Sequence, residues 1–254
     1  MTNSISEKRR KIILPLSIVF WIILWWLLSI VVGEKLFLPS PSDVVKALLS
    51  FGDSGEFWSS IAFSSSRIVV SYILSFFLAL VFGVCGGLWE GFDIFLSPLL
   101  KAMRSVPVAS IVILALVWVK SRNLSVVVSV LVVFPILYTS VSSGIRNTPS
   151  SLLEAAEVYR IKGWRKIRFV MAPSVFPYVT SGVKASLGLC WKSAVAAEVI
   201  GLPSSSIGAR LYEAKVYLAT ADLFAWTVTI VVFSVIFEKC ALLFLDVVRK
   251  GVER

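Results

Sequence analysis

Long apolar runs alternate along this chain with short polar, basic stretches. Residues 12–32 carry no charged side chain and exceed the roughly 20 residues needed to cross a hydrocarbon core. Residues 68–88, 98–119, 124–143, 174–200 and 222–245 repeat the pattern. It predicts an all-α, polytopic membrane protein with six transmembrane helices in a single domain over residues 1–254. A signal peptide is the rival reading of residues 12–32. The run is long for such a segment and no small-x-small cleavage site follows, so it is read as the first membrane helix.

Local signals refine these elements. Gly83, Gly86 and Gly87 near the end of the second run permit close helix approach. Lys101, Arg104 and Pro107 break the first half of the third run and place that half at the interface. Pro135 interrupts the fourth run, which is tolerable where neighbouring helices satisfy the freed carbonyl. Ser42 is expected to cap an amphipathic segment, with Asp43 in its first turn. Residues 52–55 and 120–123 read as turns, and residues 201–221, polar and rich in small side chains, are expected outside the membrane.

The stretch between the fourth and fifth runs, 146–173, is the one long polar and basic segment, with Arg146, Arg160, Lys162, Arg165, Lys166 and Arg168 in it. Ser151 and Glu154 have the spacing of a capping box, and Thr148-Pro149 offers an earlier helix start. Leu152, Leu153, Ala156, Tyr159 and Ile161 would line one face of a short helix. Gly163 then allows a turn, and residues 164–171 predict a second short helix before Pro173. Two short helices bent over a membrane surface make a knob able to fill a socket on a partner protein.

Composition agrees with a membrane protein: 57% of residues are hydrophobic and 16% charged, against about 25% charged in soluble domains. A net charge of +10 alone is compatible with nucleic-acid binding, but the cations cluster at the ends of apolar runs, where they act as topology signals. With a cytoplasmic amino terminus, sixteen Lys and Arg fall inside, including residues 8–11, Lys101, Arg104, the basic loop, Lys239, Arg249, Lys250 and Arg254. Seven fall outside: Lys35, Lys46, Arg67, Lys120, Arg122, Arg210 and Lys215. This asymmetry places both termini and the 146–173 loop in the cytoplasm. The chain has no histidine, which excludes imidazole chemistry, and no G-x-x-x-x-G-K-[ST] phosphate loop. Cys85, Cys190 and Cys240 lie within apolar runs without metal-ligand spacing and are read as buried thiols. Trp25 and Trp26 are read as interfacial or packing residues.

The fifth run stands apart because it carries Lys184, Lys192 and Glu198. A charge near the bilayer centre costs about 2.5–3.5 kcal/mol on insertion scales, so these groups should face protein or water. Lys184, Gly188 and Lys192 are spaced four apart and share a helix face. The lysines can line a substrate path, or serve as structural cations held by carbonyls and hydroxyls. Glu198 is expected to pair with a nearby cation.

Several of these residues resemble a known family. Glu154-Ala155-Ala156, followed by Val170-Met171-Ala172-Pro173, is similar to the EAA loop of membrane permeases from ABC-type importers. That pattern reads Glu-Ala-Ala, three residues, Gly, nine residues, Ile, one residue, Leu-Pro. Here Arg160 stands at the Gly position, Val170 at Ile and Ala172 at Leu, and a glycine follows at Gly163. Leu38-Pro39-Ser40-Pro41-Ser42, residues 182–188, Trp191 and Ala196-Ala197-Glu198 resemble the nitrate, sulfonate and taurine branch over residues 36–245. Ser206-Ile207-Gly208 resembles that branch's Gly-Leu-Gly, with Ser206 replacing the first glycine.

The resemblance implies a type I, binding-protein-dependent permease with cytoplasmic coupling helices in the inner or plasma membrane. It implies a pair of ABC ATPase chains, which carry the ATP and Mg, with no cofactor in this chain. A second permease subunit, making a homodimer, and an extracytoplasmic substrate-binding protein complete the assembly. The cargo would be a nitrate-, sulfonate- or taurine-like anion or a vitamin precursor. Glu154, Ala155, Ala156, Gly163 and Pro173 would form the ATPase-coupling site, with Lys184, Lys192 and Glu198 on the substrate path. The alternative is a free-standing secondary carrier or a membrane enzyme. Carriers usually show two related halves, and an enzyme needs clustered acidic, His or Cys groups; the sequence shows neither.

Overall fold

A computed structural model describes residues 2–252, with side chains at residue 13 and over 15–251. The side chains of residues 8–11, and Arg254, all counted in the charge reading, lie outside those described. Every element among the described residues is helical. In order they are α1 (Thr2–Val32), α2 (Pro41–Gly52), α3 (Gly55–Leu88), α4 (Glu90–Ser105), α5 (Val108–Ala115) and α6 (Ser121–Arg146). Then come α7 (Ser150–Val158), α8 (Trp164–Lys166) running through a π-helical turn at Ile167–Met171, α9 (Ala172–Gly201), α10 (Ile207–Val216) and α11 (Thr220–Val252).

Among the described residues, four helices are long and apolar enough to cross a membrane: Pro15–Val32 within α1, α3, α6 and Thr220–Gly251 within α11. The pair α4 and α5 would make a fifth, but it is bent by 102° at Val106-Pro107. The expected continuous span over 98–119 is therefore two helices. Pro107 lacks an N–H and biases the residue before it away from helix; Val106 is extended, with ψ 128°. The third run's predicted break is thus real, and its first half belongs to the amphipathic α4. Although α9 is 30 residues long, it is not among these four, because Lys184, Lys192, Glu198 and several serines dilute its apolar content.

The chain divides into two compact units, Met1–Trp58 with Arg210–Thr229, and Ser59–Ala209 with Ile230–Arg254. In the first, α2 buries Val44 and Ala47 against Ala225, with Trp25 and Phe224 stacked at 5.7 Å beside them. The cap of α2 is Ser40, not Ser42: its hydroxyl accepts from the Asp43 N–H at 3.2 Å, and Pro41 takes the first helical position. Proline suits that position because its φ is preset and its missing N–H would be unpaired there anyway. The Ser40 hydroxyl, and secondarily the Lys35 ammonium at 3.4 Å, hold the Asp43 carboxyl below its ordinary range.

In the second unit α6 packs along α9, and α3 packs on α6 through small residues. A Cβ at Gly83 would lie 2.7 Å from the Val141 Cβ, and one at Gly87 2.7 Å from the Ile145 Cβ. The expectation that these glycines allow close approach is met. Helix α3 begins earlier than the predicted residue 68, since Ser60 and Ser64 in the polar-looking lead are completely buried. Residues 121–123, read as a turn, are the first turn of α6, and α10 occupies the stretch read only as polar surface. Of the cysteines, only Cys190 is buried; Cys85 and Cys240 are exposed, correcting the reading of all three as buried thiols.

Candidate functional site

The basic loop opens as α6 ends. The Thr148 hydroxyl turns back to the Gly144 carbonyl at 3.3 Å, so it caps nothing ahead of it. Pro149 is the N-cap residue, with no side-chain cap bond, and its carbonyl accepts from the N–H groups of Leu152 and Leu153. The Ser151–Glu154 capping box does not form, because Ser151 already lies inside the helix. Pro149 restricts Thr148 and fixes the start immediately after itself. Ala156 is the one buried residue of α7, while Glu154 and Ala155 are exposed. The expected apolar stripe reduces to Ala156: Leu152 is half-exposed and Tyr159 stands out at 78%.

The end of α7 explains the family's glycine. The Ile161 N–H bonds the Ala156 carbonyl at 2.7 Å, and the Arg160 N–H bonds the Glu157 carbonyl at 3.0 Å. This pair of bonds is a Schellman motif, whose residue after the cap must be left-handed. That residue is Arg160, at φ +54°. The family pattern places glycine there, the residue that adopts positive φ without steric cost. Arg160→Gly should therefore stabilise the loop by about 1 kcal/mol, the left-handed penalty relieved. Thermal unfolding of the purified protein and limited proteolysis of the loop test this. A loop cleaved faster in Arg160→Gly would refute the strain argument.

Gly163 also takes positive φ, +58° with ψ −135°, and supplies the predicted second turn. Beyond it the chain does not form a separate helix ending before Pro173. Instead α8 continues through the π-helical turn into α9, and Pro173 lies in the first turn of α9. Pro173 has no N–H for the carbonyl four residues back, and the wider π turn lies directly before it. Such turns are frequent at functional sites.

Helix α9 has two contrasting faces. One is buried: the Tyr72 and Ser186 hydroxyls bond at 3.0 Å, and the Ser129 hydroxyl donates to the Cys190 carbonyl at 3.4 Å. The other carries Lys184, Ala185, Leu189 and Lys192, all exposed, with Gly188 half-buried between them. No described residue forms an ion pair with either lysine. Lys184 also lines a cavity of about 520 Å³, together with Pro173, Thr180, Ser181, Asp246 and Arg249. The fold thus brings one coupling-loop candidate, Pro173, and one pathway candidate, Lys184, to a single cavity. Glu154, Ala155 and Gly163 do not line it.

Glu198 is fully buried and forms no close ion pair among the described residues; the Arg67 guanidinium is the cation that acts on it electrostatically. Its Oε2 accepts from the Ser64 hydroxyl at 2.7 Å and the Gly208 N–H at 3.2 Å. Ser64 in turn accepts from the Ile207 N–H at 2.9 Å. Glu198 therefore ties the segment after α9 back onto α3 and α9. Lys192 lies on the other face of α9 and cannot reach it.

The profile of the family described as binding-protein-dependent transport system inner membrane component matches residues 79–254. The chain belongs to that family. This permease is 28% identical over 201 residues to a putative aliphatic sulfonates transport permease protein, SsuC, of Bacillus subtilis, covering 78% of this chain and 71% of that protein. It is 24% identical over 221 residues to the taurine transport system permease protein TauC of Escherichia coli, covering 84% and 80%. A bicarbonate transport system permease protein, CmpB, of Synechocystis is 27% identical over 224 residues, covering 82% and 79%.

The permease is thus an integral inner-membrane transport subunit of an ABC importer and not an enzyme. An ATPase chain and a substrate-binding protein are its partners, and ATP hydrolysis belongs to the ATPase. Ser64 escaped the sequence reading, and Ser206 was noted there only as a departure from the family's Gly-Leu-Gly. Ser206, at the family's first glycine, is buried and its hydroxyl accepts from the Ala209 N–H at 3.0 Å, capping α10. A serine followed by a glycine and an amphipathic run was the available signal.

Proposed function

We propose that this permease imports a small anion, passed from the binding protein along the exposed cationic face of α9. The observation that carries this reading is the placing of two exposed lysines without an ion pair on one helix face with Ala185, Gly188 and Leu189, opposite a face buried on α6. A water-filled path lined by ammonium groups lowers the desolvation barrier for an anion. Relatives named for sulfonates, taurine and bicarbonate support the same substrate class. In this reading α9 and the bent α4–α5 pair cross with the four apolar helices, giving six spans with both termini cytoplasmic. A second copy of the chain faces the α9 surface across the path. The loop around Glu154, Ala155, Ala156, Gly163 and Pro173 docks in the cytoplasm on an ATPase pair, which binds the ATP and Mg. Glu198 acts at the outer end of α9 by holding the following segment rather than by touching cargo.

Uptake by Lys192→Met and Lys192→Arg tests the path, with assembly and ATPase co-purification checked in both. The expected result is a loss of about tenfold in Lys192→Met, a barrier change of about 1.4 kcal/mol, with most activity kept in Lys192→Arg. An assembled Lys192→Met complex transporting at the wild-type rate would overturn the anion path.

A further inference from the structure

We propose that the groove between α4 and α6 binds the phosphate headgroup of an anionic phospholipid. The groove encloses about 200 Å³, with Ser97, Lys101 and Arg104 from α4 and Thr139, Ser143 and Arg146 from α6 among its walls. Its charge is unbalanced. Arg146 is committed: it meets Asp93 at 3.1 Å and donates to the Gly86 carbonyl at 2.7 Å. Asp93, the one carboxylate in the groove, also accepts from the Tyr138 hydroxyl at 2.7 Å. Asp93 and Arg146 cancel, which leaves Lys101 and Arg104 as two uncompensated positive charges.

Arg104 is positioned rather than neutralised. It donates to the Pro135 carbonyl at 2.6 Å and to the Thr139 hydroxyl, both neutral acceptors on α6. This anchors the guanidinium at the groove while its charge stays available. Lys101 is exposed and has no hydrogen-bond or ion-pair partner among the described residues, and the same holds for the Ser97 and Ser143 hydroxyls. A phosphodiester supplies acceptor oxygens for all of these donors. Basic pockets between membrane helices hold such headgroups.

The neighbouring surface favours a lipid over a free anion. Ile94 and Pro98 precede Lys101 by seven and three residues and share its side of α4. Ile94 is 65% exposed and Phe95, further round the helix, 79%. Trp89, an exposed aromatic of the kind that anchors at membrane boundaries, caps the helix start. A soluble anion would leave this apolar flank uncovered, whereas acyl chains would cover it. In the six-span arrangement the groove faces the inner leaflet.

The test uses the permease–ATPase complex purified in mild detergent from membranes containing phosphatidylethanolamine, phosphatidylglycerol and cardiolipin. Native mass spectrometry counts the retained lipids. The wild type should keep an anionic phospholipid in preference to phosphatidylethanolamine. Lys101→Gln should reduce that retention about fivefold, Lys101→Glu should reduce it further, and Lys46→Gln, in α2 and not among the groove residues, should not change it. Lys101 is exposed and unpartnered, so these variants should fold; a melting curve in detergent confirms it. A second arm measures melting in nanodiscs of phosphatidylglycerol or phosphatidylcholine, and in detergent with inorganic phosphate. Stabilisation by phosphatidylglycerol, reduced in Lys101→Glu, supports the site. Equal lipid retention in wild type and Lys101→Glu overturns it. Stabilisation by inorganic phosphate alone, with no lipid effect, assigns the groove to a soluble anion. Loss of ATPase co-purification with unchanged lipid assigns it to a protein contact. Either of these also overturns the proposal.

Discussion

Gly208→Val should leave little folded permease in the membrane. A Cβ at Gly208 would sit 2.6 Å from the Glu198 carbonyl carbon and 2.6 Å from the Val199 nitrogen. Those are backbone atoms in the last turns of α9, and they cannot swing aside as a side-chain tip can. Overpacking of this kind costs about 1–3 kcal/mol before any further loss. Displacing residue 208 also pulls its N–H from the Glu198 carboxyl, now 3.2 Å away. Stripping a partner from a buried acceptor costs about another 1–3 kcal/mol. Together these approach the 5–15 kcal/mol that separates folded from unfolded domains. The companion variant Ser206→Gly keeps the segment and loses only a hydroxyl cap, worth a few tenths of a kcal/mol when glycine replaces it. Membrane abundance and the melting midpoint in detergent distinguish the two. If Gly208→Val accumulates and melts like the wild type, the close packing at Glu198 does not hold the segment after α9.

Much of this was legible in the chain because apolar length is a one-dimensional signal. The cores of α1, α3, α6 and α11 fall where apolar runs place them. Helix ends were harder, since proline acts through its neighbours: Pro41 moved the α2 cap to Ser40, Pro149 displaced the box at Ser151, and Pro107 split the third run. Burial of serines was invisible for a different reason. Ser60 and Ser64 precede the predicted start of the second run, yet α3 turns both inward, and Ser64 reaches a carboxylate 134 residues away. Glu198 illustrates the same limit. Its charge predicted a cation, and Arg67 acts on it electrostatically, but its hydrogen-bond partners are a hydroxyl and a backbone N–H, neither of which carries a charge pattern to read. The left-handed Arg160 could be placed only through the glycine position of the family pattern, because arginine itself does not announce positive φ.

Tyr159→Ala and Trp164→Ala should each uncouple the permease from its ATPase. Tyr159 is 78% exposed, Val158 79% and Trp164 72%, all at the bend of the basic loop. Large exposed apolar groups clustered at a loop tip mark an interaction site rather than ordinary surface. Aromatic anchors at interfaces typically cost at least about 2 kcal/mol when truncated, which is roughly a thirtyfold loss of affinity. Neither side chain packs in the protein's own core, so membrane insertion and melting should be unchanged. Binding of solubilised permease to the purified ATPase, measured beside uptake in cells, checks both halves of the expectation. Normal binding by the double variant would mean the aromatic tip is not the docking surface. Glu154 is exposed in mid-α7 and caps nothing, so Glu154→Arg should act on docking without melting the helix.

The central proposal is that the α7 loop lies in the cytoplasm and seats in an ATPase, with residues 201–221 on the opposite side of the membrane. Photo-crosslinking in membranes that sustain uptake tests it most directly. A benzophenone amino acid replacing Ala155, which is exposed beside the buried Ala156, should yield an adduct of permease and ATPase. The same probe at Tyr217, exposed at the end of α10, should yield none with the ATPase. An ATPase adduct from Tyr217, or its absence from Ala155 in transporting membranes, would contradict the account.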